Sequence, residues 1–393
     1  MLVKVGLSSG DLTGDSNLAL QQAVDAVAGQ GGGAVELGPG VFTLYDSIRL
    51  RPNVHLVGSG PDTVLRKCDG PASPFALDAD YGQAKVTVED PTGFRPGLGV
   101  VVCDDRSGGW HHTVATVTLV QGNVLYLDRF FVTDYARDQN GIVFSAFPPI
   151  AAIDVDSVTV EGLTLDGNGR ASRRINGCVG GGIYLHRARR CRIAHCLVHD
   201  FNGDGISFQT TQDITVESCE VAGAAGLGLH PGTGSARPTI RSCKSHHNGE
   251  DGLFLCWRVQ DGTFEANEFS HNGRHGVSIG HKDTDNLFAG NVVRGNLAHG
   301  LYFRDEHPTN AGSRNTFRRN VIEDNHGCGV CIDGHTSDLV FEGNTIRDTR
   351  SGPARTQRIG LRAGEHTSRI TALRNCIEGH PEADIQGDVT VAE

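Results

Sequence analysis

The chain has 393 residues, of which 53 are glycine, 11 cysteine and 1 methionine, with 38% hydrophobic residues and a formal net charge of −11. That charge excludes a protein whose affinity rests on overall basicity, as a nucleic-acid binder's does, and leaves open only a locally basic groove. No run of about eighteen apolar residues occurs, which argues against a membrane-spanning helix and a membrane partner.

The opening residues, MLVKVGLSSGDLTGDS, lack the apolar core of a signal peptide. As written the chain reads as cytoplasmic, or as secreted if a leader has been removed. Asp15 or Ser16 caps a predicted helix within 15–30, over about Asn17 to Ala28, with Leu18, Leu20, Val24 and Val27 as its apolar side. Gly29 and the Gly31-Gly32-Gly33 run stop it. A first strand, AVELGPGVFTL, follows, then VHLVGSG and TVLRK. This succession of capping helix, GGG and AVELGPGVFTL-like strand resembles the pectate-lyase superfamily. The resemblance implies a right-handed parallel β-helix that acts on carbohydrate.

Residues 83–147 interrupt that pattern. VTVEDPTGFRPGLGVVVCDD and TVATVTLVQGNVLYL predict an inserted β-hairpin subdomain with a turn at Gln121-Gly122-Asn123, and its tip carries Trp110, His111 and His112. Coils resume at VTVEGLTLDGN. Cys196, Cys219, Cys243, Asn267, Asn291, Asn320, Asn344 and Asn375 occupy one recurring frame, at spacings of 23, 24, 24, 24, 29, 24 and 31 residues. Asn202, Asn248, Asn272, Asn296 and Asn325 form a second column before the Gly-led strands. Both columns read as structure: stacked amides bond from coil to coil, and Cys fills the same interior slot. Cys328-Gly-Val-Cys331 crosses a strand start, where its side chains are expected to diverge, so no metal site is assigned to it. Size alone would suggest two or three domains. The repeats instead predict an all-β solenoid, a single β-helix domain over residues 1–393. Loops protrude at Gly167–Gly181, Pro308–Arg314 and Arg350–Arg358.

Gly252, Gly276 and Gly300, each 24 residues apart, open the same pattern, Gly-apolar-x-apolar-x. The inward pairs read Ile183/Leu185, Ile206/Phe208, Leu227/Leu229, Leu253/Leu255, Val277/Ile279, Leu301/Phe303 and Val330/Ile332. Alternation then turns His186, Gln209, His230, Cys256, Gly280, Arg304 and Asp333 outward. Beyond them the chain bends through Trp257, His281 and Asp305, then Arg258, Lys282 and Glu306. With coils about 4.8 Å apart, three coils present an aromatic face, cations and carboxylates together. A solvent-exposed salt-bridge ladder would explain the charges but not the aromatic and histidine among them.

This patch fits a lyase acting on an acidic, uronate-containing carbohydrate polymer or oligosaccharide. Lys282, its ammonium destabilised by neighbouring arginines, is the expected base, with His281 or His230 as base or acid, and Arg304 and Asp305 beside them. Trp257, Arg258, Glu306, Asp251, Asp283 and His186 are the expected substrate contacts. The superfamily resemblance implies an Arg or Lys base, often with Ca2+. The Asp-rich calcium cluster of that family is not evident, and Asp283 with Asp285 is its nearest counterpart, so no cofactor is assigned. A hydrolase would need two flanking carboxylates, Asp305 with Asp283, Asp251 or Asp333. An epimerase using the same proton abstraction, and a non-catalytic glycan-binding β-helix, monomeric or homotrimeric, complete the alternatives.

Overall fold

The computed structural model describes residues 1–392. Three parallel sheets of 14, 11 and 11 strands run its length, and each complete coil gives one short strand to each. Val277–Ile279, Leu287–Ala289 and Val292–Arg294 make one such coil. Successive coils pair in register, so that Leu253, Val277, Leu301 and Val330 lie over one another. Strands this short cannot bury a core alone; stacking makes the interior continuous. Phe264, Phe288, Phe317 and Phe341 form one file of it, with ring centroids 4.7, 4.7 and 4.8 Å apart.

The N-terminal helix is Asn17–Gly29. Leu20, Val24 and Val27 are buried beneath it, whereas Leu18, expected on that side, is exposed. Asn17 takes the inner place next to it and accepts the Tyr45 backbone N–H at 3.0 Å. The expected strand AVELGPGVFTL is two strands, Gly33–Leu37 and Gly40–Leu44, in different sheets. Between them Pro39 has no N–H to give a ladder, and Gly40 holds φ +127. The insertion is a six-stranded antiparallel sheet, and it recruits Ala72–Pro74, ahead of the expected boundary at 83. A two-residue turn, Gly122-Asn123, joins Thr113–Gln121 to Val124–Leu127.

Amide ladders hold the coils in register. Asn267 donates its backbone N–H and its Nδ2 to Asn291 Oδ1 at 2.9 and 3.0 Å, and the pattern repeats through Asn320, Asn344 and Asn375. Asn248, Asn272, Asn296 and Asn325 form the second ladder, which Gln357 ends. Asn202 is not in it; its amide bonds Ser172 of the 167–181 loop instead. A third pair, Asn286 and Asn315, lies at another corner. Each buried amide is satisfied, which is the condition for keeping it there.

Candidate functional site

The outer face of the 11-stranded Gly-led sheet carries the side chains that can do chemistry, and a feature of the glycines decides which ones. A Cβ on Gly252 would sit 2.6 Å from Asn272 Nδ2, and one on Gly276 would sit 2.3 Å from Val293 Cγ1. These glycines therefore face inward at a corner. The residue before each one and the second residue after it both face out. Two columns result. One holds Asp251, His275, His299 and Cys328. The other holds Ser207, His230, Phe254, Ser278, Tyr302 and Cys331, as the strand register requires.

His230 was expected in line with Gln209 and Cys256. The pairing of Ile206 with Leu229 shows that Gly228 leads its coil, which puts His230 in the third place, beside Ser207, and not the fifth. Its side chain is buried, with Nδ1 2.7 Å from Asp204 Oδ2. Gly177 of the 167–181 loop lies directly on the pair: a Cβ there would come 1.8 Å from Asp204 Oδ2 and 2.8 Å from His230 Nδ1. Burial opposes the imidazolium, yet Asp204 and the Cys256 thiol carry His230 up to about 10. It is a sealed ion pair, out of reach as the base or acid expected of it.

The column before the glycines is a hydrogen-bond relay. The His275 backbone N–H donates to Asp251 Oδ1 at 2.9 Å, that of His299 to His275 Nδ1 at 3.2 Å, and that of Cys328 to His299 Nδ1 at 2.9 Å. An Nδ1 that accepts an N–H has its lone pair in use, so the neutral ring carries its proton on Nε2. The two imidazoles stack at 5.3 Å and 10°, and Tyr302 stacks on His275 at 4.4 Å. Burial, His299, Arg274 and Arg304 push His275 down to about 3, and burial with nearby carboxylates raises the Tyr302 phenol. Two imidazole rings and a phenol line this part of the face. At its foot, burial lifts Asp251 up to about 6, and its Oδ2 has no hydrogen-bond partner.

Arg304 lies flat across three coils. It donates to Ser278 Oγ at 3.0 Å, to Leu255 O at 2.8 Å and to Asp283 Oδ2 at 3.2 Å, and covers the Phe254 ring at 4.4 Å. Gly280 is what lets it lie there, because a Cβ would meet Arg304 Nε at 2.5 Å. Asp283 also accepts the N–H groups of Val259 and Gly280. Burial still outweighs these partners and raises it up to about 6. Asp283 and Asp251, both expected to touch substrate, are instead fully buried. Asp285 is bound to Arg314. Asp283 and Asp285 therefore do not fit a calcium ion, because their oxygens already accept from guanidinium or backbone donors.

At the edge of the sheet, Trp257, His281 and Glu306 from three successive coils touch in a line. Trp257 stacks on His281 at 4.8 Å. His281 Nδ1 stands 3.5 Å from Glu306 Oε2, and its backbone N–H donates to Glu306 Oε1 at 3.2 Å. Trp257 and Arg258 are both left-handed, at φ 58 and 68, a conformation a bulky residue rarely adopts. Arg258 is exposed and Lys282 half-buried, and neither side chain has an ion-pair partner among the described residues. Asp305 is exposed and shares a cleft of about 660 Å³ with Asp333 and Arg362. His186 belongs elsewhere, against Trp110 at 5.1 Å.

Cys328 and Cys331 do not diverge as expected. The inward glycine between them turns both outward, and their sulfurs lie with a ring nitrogen of His299 within 4.8 Å of one another. The set does not fit zinc as it stands, because the His299 Nδ1 lone pair is taken by the Cys328 N–H and Nε2 holds the proton. His275, His299 and Tyr302 were missed in the sequence. Their signal is the pair of residues around each glycine: Asp-Gly-x-Phe, His-Gly-x-Ser, His-Gly-x-Tyr, Cys-Gly-x-Cys.

The profile of the right handed beta helix region matches residues 181–346 and 254–380, together more than half of the chain. The protein belongs to this right-handed β-helix family. No curated protein sequence matches the chain. Among solved structures, the A-module of the mannuronan C-5 epimerase AlgE4 of Azotobacter vinelandii is 20% identical with a TM-score of 0.57, covering 99% of this chain and 95% of that one. A polygalacturonase of Erwinia carotovora is 13% identical with a TM-score of 0.56, covering 99% and 94%. The Dettilon tailspike protein is 12% identical with a TM-score of 0.55, covering 95% of this chain and 57% of that one. At these identities the likeness shows the fold; the site has to carry the reaction.

Proposed function

We propose that the chain binds an acidic polysaccharide along the outer face of the Gly-led sheet and cleaves it by β-elimination, with His281 as the base. The observation that carries this is the Trp257–His281–Glu306 line, three coils long, flanked by the unpaired cations of Arg258 and Lys282. Trp257 offers a flat apolar surface to a sugar ring. Arg258 and Lys282 attract the uronate carboxylate, which acidifies the adjacent C5 proton. Glu306 orients His281, which takes that proton; the electron pair forms the C4–C5 double bond and the glycosidic oxygen leaves. Tyr302, kept protonated by burial, is a donor to that oxygen, and the His275 and His299 N–H groups meet negative charge that develops on the substrate. Two fold neighbours, a mannuronan epimerase and a polygalacturonase, are by name enzymes of uronate polymers.

This reading moves the base from Lys282 to His281, because His281, unlike Lys282, has an orienting carboxylate and, unlike His230, is not sealed. A second reading, hydrolysis, is favoured by the shared cleft of Asp305 and Asp333. The test is incubation with polyuronates, following the absorbance of an unsaturated uronyl product. His281→Ala is expected to lower that rate about 10²- to 10⁴-fold in a folded protein. Reducing ends without the absorbance would support the hydrolase. Exchange of the C5 hydrogen with solvent deuterium, without cleavage, would support an epimerase. Binding with none of these would leave a glycan-binding scaffold.

A further inference from the structure

Where the antiparallel insertion meets the N-terminal coils, a pocket of about 340 Å³ opens on the same face of the Gly-led sheet. Its floor is Ile153, Tyr184 and His186, the continuation of the outward columns toward the N-terminus. Its roof comes from the insertion, chiefly Trp110 and His112. Trp110 was expected in a free loop tip. It bends back over the coils so that its ring and the His186 ring lie 5.1 Å apart, with Trp110 still 36% exposed.

Two features make this a site for a sugar acid. One is the Trp110 ring, held over His186 with part of its surface left open. Beside the ring faces stand three guanidiniums, of Arg49, Arg129 and Arg187. Arg187 is committed to Asp154, and Arg49 to Asp46 and Thr116. Arg129 has only Asp128, 3.6 Å away and shared with Arg49. An aromatic plate and an under-used cation together suit a carboxylated pyranose.

We propose that this pocket is a second binding site, holding one uronate unit of the polysaccharide on Trp110 with its carboxylate toward Arg129. The proposal rests on the acidic polysaccharide assigned above and adds a place on the protein for a distant part of it. His186 lies three coils before Cys256, the neighbour of Trp257, so the pocket is about 14 Å from the central line at about 4.8 Å per coil. A chain long enough to span both is held at two points, and a shorter fragment at one.

The protein's 2 tryptophans allow a direct test, because Trp110 reports the pocket and Trp257 the central line. In Trp257→Phe, titration with oligouronates of increasing length is expected to change Trp110 emission saturably. Arg129→Ala in that background should weaken the titration about tenfold or more. In Trp110→Phe, Trp257 should still respond to a short fragment, with the gain in affinity for long chains lost. If Trp257 responds and Trp110 never does, or if Arg129→Ala leaves the Trp110 titration unchanged, the second site is wrong while the proposed function stands. If neither tryptophan responds to any polyuronate and no product forms, the functional reading fails and this one falls with it.

Discussion

Asp251→Asn is expected to stabilise the fold at neutral pH. The carboxyl is fully buried, accepts one N–H from His275, and leaves Oδ2 unpartnered. Burial raises its pKa from 3.8 to about 6. A carboxyl raised by about two units holds its proton in the folded state over a range where the unfolded chain has released it. Folding therefore takes up protons between about pH 4 and 6, and stability falls as pH rises through that window. At about 1.4 kcal/mol per unit the loss is on the order of 3 kcal/mol at pH 7 and vanishes below about pH 4. Asparagine keeps the acceptor for His275 and removes the charge. Its NH2 group would stand where Oδ2 now lacks a partner, which offsets about 1 kcal/mol. The net expectation is a gain of about 2 kcal/mol at pH 7, and at pH 4 no gain, with the unpartnered amide leaving the variant slightly the less stable. Urea unfolding of both proteins at the two pH values measures it. A variant less stable than the parent at pH 7, or a difference that does not change with pH, would refute the argument. A stabilising variant that turns over substrate more slowly would identify Asp251 as a charge kept for the site at the expense of the fold.

The fold was legible because its cause is periodic. A spacing of 24 residues, recurring Asn and Gly-led apolar strands each state one local requirement, and all three agree on a stack of coils. Trp257 and His281 were legible for the same reason: the repeat sets them at equivalent places on adjacent coils, whereas Glu306, one place beyond the equivalent Asp305, reaches His281 only through the bend. What was not legible is the half of the site that depends on the direction of the glycine. Strict alternation from Gly252 puts Asp251 inside and breaks the link between Asp251 and Phe254. An inward glycine at a corner restores it, and with it the file of Asp251, His275, His299 and Cys328. His230 was misplaced because GLGLH offers two glycines, Gly226 and Gly228, and only the pairing of Leu229 with Ile206 and Leu253 chooses between them. Arg304 read as a free cation because its partner Asp283 lies 21 residues back and beyond a turn.

Three further outcomes follow from the same contacts. Gly276→Ala places a methyl 2.3 Å from Val293 Cγ1 and 2.8 Å from Gly300 O; it should cost about 1–3 kcal/mol in urea unfolding. Gly290→Ala, also in a coil but with nothing within 4 Å of its Cβ, should escape that packing cost and show only the strain of its φ of +62. Glu306→Gln keeps a side chain beside His281 but removes its charge. If Glu306 orients His281 as the base, kcat should fall about tenfold or more with KM little changed; an unchanged kcat would deny Glu306 that role. Arg304→Ala tests whether this guanidinium serves the fold or the reaction. Its removal leaves Asp283 buried with only the N–H groups of Val259 and Gly280, and an uncompensated buried charge costs about 3–5 kcal/mol. Adding Asp283→Asn to Arg304→Ala should return much of that loss, because an amide needs no counter-charge. If the double variant regains stability and also regains turnover, Arg304 acts by holding the Asp283 turn and the Phe254 ring in place. If stability returns and turnover does not, its charge is used by the substrate directly. An Arg304→Ala protein as stable as the parent would mean that Asp283 simply takes up a proton at neutral pH, and that the ion pair contributes nothing to the fold.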